Sequence, residues 1–208
     1  MNKKEVVIVD YGMGNLWSVA SAVSFLGAKP HVTTVPKEIS AAKFLILPGV
    51  GSFRRAMEII RKNSIDKAIF DCLSKPDSSL LGICLGMQLL GSTSSEDGET
   101  KGLGLIPNTV QKFTNSANSR LKIPHVGFSE VEHSSNMRLF NKIPNKSCFY
   151  FVHSYFMELT SSISGMATCD HGINFLAAFE QGQVSGTQFH PEKSQSIGLA
   201  LLKNFLER

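Results

Sequence analysis

Apolar positions follow two rhythms along this chain. In the first half, short unbroken apolar runs alternate with stretches of helical spacing. Val6-Val7-Ile8-Val9-Asp10 reads as a buried strand that ends on a carboxylate, and Tyr11-Gly12-Met13-Gly14-Asn15 as a turn. Residues 16–26 are apolar at Leu16, Val19, Ala20, Val23 and Leu26, which predicts a helix stopped by Gly27. Residues 31–35 and 44–47 predict a second and a third strand, the latter running into Pro48-Gly49-Val50-Gly51-Ser52. Helical spacing then continues to about Leu73, and residues 80–83 form another apolar run. Unbroken apolar strands separated by helices predict a parallel sheet covered on both faces.

The second half changes character. Residues 128–132, 148–152, 175–180 and 184–189 are strand-like, with Gln181-Gly182-Gln183 as a hairpin connection. Residues 194–206 predict a closing helix, apolar at Ile197, Leu199, Leu201, Leu202, Phe205 and Leu206. The polar stretch Asn115-Ser116-Ala117-Asn118-Ser119 predicts a loop tip. The expectation is one mixed α/β domain over residues 1–208. Its central sheet is mostly parallel, with flanking helices and antiparallel additions. In such a sheet, sites gather at the carboxyl ends of the strands. Four segments follow strands in this reading: residues 10–15, residues 48–52, Cys84 and His190.

Composition narrows the function. The chain has 208 residues, 42% hydrophobic and 18% charged, an ordinary globular balance. Its net charge of +4 comes from scattered Lys and Arg, which argues against a nucleic-acid partner. No run reaches a membrane span, and the start, Met1-Asn2-Lys3-Lys4-Glu5, lacks a signal core, so no membrane association and a cytoplasmic location are expected. The four cysteines form no Cys-x-x-Cys pair and are expected as free thiols. No P-loop occurs, and Trp17 stands where a dinucleotide fingerprint needs its third glycine. His31, His125, His133, His153 and His171 have no metal-ligand spacing and default to structural roles. No metal or other cofactor is therefore expected.

One cysteine stands apart. In Leu80-Leu81-Gly82-Ile83-Cys84-Leu85-Gly86-Met87-Gln88, an apolar strand meets a helix through Gly-x-Cys-x-Gly. This is the cysteine form of a nucleophile elbow, in which glycines permit a sharp turn and the helix start favours a thiolate. A lone cysteine is more often a buried structural residue. Gln188-Phe189-His190-Pro191-Glu192 weighs against that, because it supplies a base in His190 and an orienting carboxylate in Glu192. Beside such a nucleophile, the backbone of Pro48-Gly49-Val50-Gly51 is a candidate oxyanion hole.

Together these motifs resemble the class I (triad-type) glutamine amidotransferases, a flavodoxin-like fold, and within them the glutaminase subunits of imidazole glycerol phosphate synthase. The resemblance also rests on Lys101-Gly102-Leu103-Gly104-Leu105-Ile106, Ile123-Pro124-His125-Val126-Gly127, Tyr150-Phe151-Val152-His153-Ser154-Tyr155 and Glu192-Lys193-Ser194. It implies that Cys84 attacks the side-chain amide of L-glutamine, that His190 moves the proton, and that Glu192 orients His190. It implies an oxyanion hole from Gly49, Val50, Gly51 and the Leu85 amide, with Val50–Gly51 rearranging when the partner engages. Gln88, Glu96, Ser154 and Tyr155 match positions that hold glutamine. The implied partner is a (β/α)₈-barrel cyclase subunit, joined as a heterodimer, which receives the ammonia and makes imidazole glycerol phosphate and an aminoimidazole ribotide. Asn15, Tyr150 and Lys193 match the interface. Two positions depart from the common family pattern: Phe128 replaces a Trp, and Trp17 replaces an Arg. Both fall where the partner would dock.

Three other readings stand beside this one. The chain is a paralogue that supplies ammonia for amidination of a nucleotide sugar or surface polysaccharide. It is a catalytically silent, partner-binding pseudo-amidotransferase. Or it is a thiol hydrolase of another substrate, such as a peptidase. The intact Cys84, His190 and Glu192 weigh against silence, and the matched glutamine positions weigh against a peptidase.

Overall fold

The computed structural model describes residues 3–115, 121–160 and 162–208, so residues 116–119 of the expected loop tip lie outside the described residues. The first half alternates as its apolar runs predict. Strand β1 (Glu5–Val9) leads to helix α1 (Leu16–Phe25), β2 (Lys29–Thr33), α2 (Pro36–Ala41) and β3 (Phe44–Gly49). Helices α3 (Phe53–Lys62) and α4 (Ile65–Leu73) precede β4 (Ser79–Cys84) and the short α5 (Leu85–Leu89). β2 begins and ends two residues earlier than residues 31–35. Pro36 opens α2 at its first turn, where a missing N–H costs nothing, so residues 34 and 35 are taken up by the helix entry.

The second half is more finely divided than its sequence pattern. It contains β5 (Thr93–Ser94), β6 (Thr100–Lys101), β7 (Thr109–Lys112), β8 (His125–His133), β9 (Ser147–His153) and β10 (Tyr155–Met157). Strands β11 (Gly165–Asp170), β12 (Asn174–Gln181) and β13 (Val184–Thr187) follow, and α6 (Gln195–Leu206) closes the described chain. The hairpin at residues 181–183 is present, with Gln181 paired to Val184 and Gly182 in the left-handed region at φ 58°.

Among the described residues these strands form one sheet. Its parallel part runs β2-β1-β3-β4-β13. From β13 the path continues antiparallel through β12 and β10 to β7, while β11 carries β8 and β9 off to one side. The antiparallel part is extensive, and several of its strands, β5, β6 and β10 among them, are too short to show a period. β1 explains the two-sided burial. Val6 and Ile8 pack with α1 and α6, whereas Val7 and Val9 pack with α2, α3 and α4. α3 covers its face through Phe53, Ala56, Met57 and Ile60, an i, i+3, i+4, i+7 stripe, and Ser52 caps it by accepting from the Arg55 amide at 3.4 Å.

Candidate active site

Cys84 ends β4 with φ 55° and ψ −113°, a conformation that a side chain rarely adopts. The strain has local causes. β3 and β4 pair in parallel up to Gly49 and Cys84, and α5 starts at once beneath them. A Cβ on Gly86 would clash with the Leu47 carbonyl, so only glycine lets α5 lie this close to β3. Cys84 is consequently held at the strand tip as an elbow residue.

His190 follows β13, next to β4 in the sheet, so the topology brings the two together. Its Nδ1 donates to Glu192 Oε1 at 2.8 Å, and both side chains are almost fully buried, at 2% and 1% exposed. Its Nε2 is buried without a conventional partner. The His190 backbone is fixed as well. Its amide donates to the Tyr150 carbonyl at 2.9 Å, and Ser194 Oγ donates to its carbonyl at 2.7 Å. Burial by itself pulls the imidazole pKa down. Contact with Cys84 and Glu192, by hydrogen bond and by charge, outweighs that and raises it to about 10. Both neighbours thus favour the protonated imidazole.

Cys84 opens onto a cleft of about 480 Å³. Val50, Gly51, Gln88, Glu96, Ser154 and Tyr155 line it, so all four glutamine-binding candidates and, with Leu85, three of the four oxyanion candidates converge on the thiol. Leu85, which follows Cys84, lines it too. Glu96 has a second engagement. Its Oε2 accepts from the Phe53 amide at 2.7 Å, at the first turn of α3, and burial raises its pKa. Gly49 stands apart from the cleft wall, packed against Tyr11, Leu85 and Gly86. The Val50 amide is engaged elsewhere, donating to the Met13 carbonyl at 3.3 Å.

The interface candidates form two groups. Phe128 and Tyr150 are directly paired across β8 and β9, with ring centroids 5.5 Å apart, and Lys193 Nζ lies 5.9 Å from the Tyr150 ring. Strand alternation puts Val126 and Phe128 on the outer face, both more than half or half exposed. Phe128 is thus not a core residue. Trp17, on α1, is 84% exposed. Asn15 caps α1, its side chain accepting from the Ser18 amide at 3.4 Å.

Residues 7–208 match the family described as Glutamine amidotransferase class-I. The chain belongs to that family. The amidotransferase is 42% identical over 203 residues to "Imidazole glycerol phosphate synthase subunit HisH 1" of Parasynechococcus marenigrum, covering 97% of each chain. It is 43% identical to "Imidazole glycerol phosphate synthase subunit HisH" of Methanosarcina barkeri, covering 98% of each. Its fold is shared with the solved "Structure of PurLQS from Thermotoga maritima" at a TM-score of 0.76 and 16% identity, covering 99% of each chain.

Sequence reasoning missed several residues of this amidotransferase site. Gln188, fully buried, reaches Cys84, and Met13 and Tyr11 pack around the Gly49–Val50 segment. A polar residue closing an apolar strand was the available signal for Gln188. His125 and His153 are buried on the inner face of the β8–β9 ribbon, bonded to each other at 3.1 Å. Burial lowers the His153 pKa to about 3 and the His125 pKa to about 4.

This has a consequence for stability. Unfolded histidine titrates near 6.5, so between that pH and the lowered folded value the unfolded chain binds the extra proton. Stability is full above about 6.5 and is lost as pH falls. His153 alone is expected to cost about 2 kcal/mol at pH 5 relative to neutral pH, a fall in Tm of roughly 4–8 °C. Calorimetry at pH 7 and pH 5 measures it. A His153→Gln chain should melt with a shallower dependence across that window, and an unchanged slope would clear His153 of the effect.

Proposed function

We propose that this chain is the glutaminase subunit of an imidazole glycerol phosphate synthase, with residues 1–208 acting as one glutaminase domain. The observation that carries the reading is the strained Cys84 elbow beside the buried His190–Glu192 pair, at the mouth of a cleft. The full-length likeness to the two synthase subunits supports the pathway. The Cys84 thiolate attacks the side-chain amide carbon of L-glutamine. Imidazolium His190 gives its proton to the departing nitrogen, ammonia leaves, and a γ-glutamyl thioester remains. His190 then takes a proton from water, which attacks the thioester, releases glutamate and restores the thiolate and the imidazolium. Glu192 holds the imidazole and balances its charge. Gln88, Glu96, Ser154 and Tyr155 hold the α-amino and carboxylate groups. Amides of Gly49, Val50, Gly51 and Leu85 serve the oxyanion.

The partner in this reading is a (β/α)₈-barrel cyclase subunit, in the cytoplasm. The outer β8–β9 face supports docking, because Val126 and Phe128 are exposed beside Tyr150 and Lys193. Among the described residues, no helix is long and apolar enough to cross a membrane. Co-purified with the histidine-pathway barrel, the chain should make imidazole glycerol phosphate from glutamine. Binding to a polysaccharide-pathway barrel in preference would transfer the chain to the paralogue reading. Trp17→Ala and Phe128→Ala should each weaken partner binding by about 1–3 kcal/mol, as buried aromatic anchors do. Titration against the barrel, with melts as a folding control, measures this, and unchanged affinity would remove both from the interface.

A further inference from the structure

Gln188 has no part in the mechanism above, yet its side chain is fully buried beside the nucleophile. Its Nε2 lies 3.8 Å from Cys84 Sγ, within reach of a hydrogen bond to sulfur. Its Oε1 accepts from Gln88 Nε2 at 2.8 Å. A chain of donors settles which end of the amide faces the sulfur. Gln88 Nε2 also donates to the Tyr155 carbonyl at 2.9 Å. A backbone carbonyl only accepts, so this end of Gln88 is its NH₂ group. The second hydrogen of that group then requires an acceptor, and Gln188 Oε1 is the atom there. The other end of Gln188 is therefore N–H, and it points at the sulfur.

The same carbonyl anchors a second branch. His153 Nδ1 donates to it at 2.7 Å, so the neutral ring keeps Nε2 as an acceptor for His125 Nδ1. His125 Nε2 then accepts from Ser129 Oγ at 2.8 Å. The amide of Gln188 is thus fixed by Gln88 on α5 and, through it, by the Tyr155 carbonyl on β10, which His153 on β9 also holds. Turning it over would set two N–H groups against each other in a buried site.

We propose that Gln188 is a positioning residue for the glutaminase reaction: its locked amide N–H holds the Cys84 sulfur, in anionic form, in line for attack. This rests on the reading of Cys84 as nucleophile. An N–H donor favours the anionic form of its acceptor. Methionine fills similar space without donating. Glutamate keeps the shape and turns an acceptor toward the sulfur.

Iodoacetamide alkylation of Cys84 across pH, read by mass spectrometry of the Cys84 peptide in the full chain, tests the proposal. Exposed Cys148 serves as the internal reference thiol. On the rising limb of the profile, Gln188→Met should be alkylated about tenfold more slowly at Cys84, a displacement of about one pH unit. Gln188→Glu should be slower still, with Cys148 unchanged in both. A Gln188→Met profile that overlays wild type would reduce Gln188 to a space-filling residue and overturn the proposal. Should that variant unfold, exposing Cys72 and Cys169 to alkylation, the Gln188→Glu profile decides by the same criterion. Glutamine hydrolysis by the wild-type complex is measured separately. Its absence would sink the proposed function, while the alkylation profiles would still judge the contact between Gln188 and the sulfur.

Discussion

A Cys84→Ala chain is expected to hydrolyse no measurable glutamine, while the proposed barrel partner should still make product from added ammonia. The first half of that result follows from the geometry of the cleft. Cys84 is the thiol that opens into it beside His190. The other three cannot substitute, since Cys72 and Cys169 are buried in the core and Cys148 is exposed on β9. The second half follows because ammonia bypasses the thioester. Nucleophile and base act as a unit, so Cys84→Ala and His190→Ala should each lose about six orders of magnitude in kcat, and Glu192→Ala about four. Glu192 is milder because it removes orientation and charge support, leaving the attacking atom and the base in place. Glutamate release by each purified complex gives the comparison. Wild-type turnover by Cys84→Ala would end the assignment of the nucleophile.

The isolated chain is expected to be slow, with kcat about 10²–10³ below that of the complex carrying its barrel ligand. The cause is one amide. Val50 N–H donates to the Met13 carbonyl, so it is not aimed at the carbonyl oxygen of a glutamine held at Cys84. Turning that peptide would complete the oxyanion hole, a contribution of about 3–4 kcal/mol by the cost of losing one such donor. The segment is suited to the change. Gly51 already sits at φ 102°, and Val50 is 43% exposed, so its side chain resists little. KM should change much less than kcat, because the donor acts on charge that appears in the transition state. Steady-state kinetics with and without the liganded barrel test this. Full activity in the lone chain would mean that the Leu85 amide and its neighbours suffice.

What could be read without coordinates was whatever is written locally. The parallel strands announce themselves because a strand buried on both faces must be apolar throughout, as in Val6-Val7-Ile8-Val9. The Cys84 elbow is legible because only glycine tolerates the approach of α5 to β3, and His190 and Glu192 lie two residues apart. Short antiparallel strands such as β5, β6 and β10 were not legible. Two or three residues carry no period, and only pairing with other strands holds them in place. The state of the oxyanion segment also lay beyond the sequence, since glycine-rich backbone permits either peptide orientation and a contact with Met13 selects one. The role of Gln188 depended on tertiary structure for the same kind of reason. An amide has two ends of nearly equal shape, and only the Tyr155 carbonyl, through Gln88, decides which end meets the sulfur.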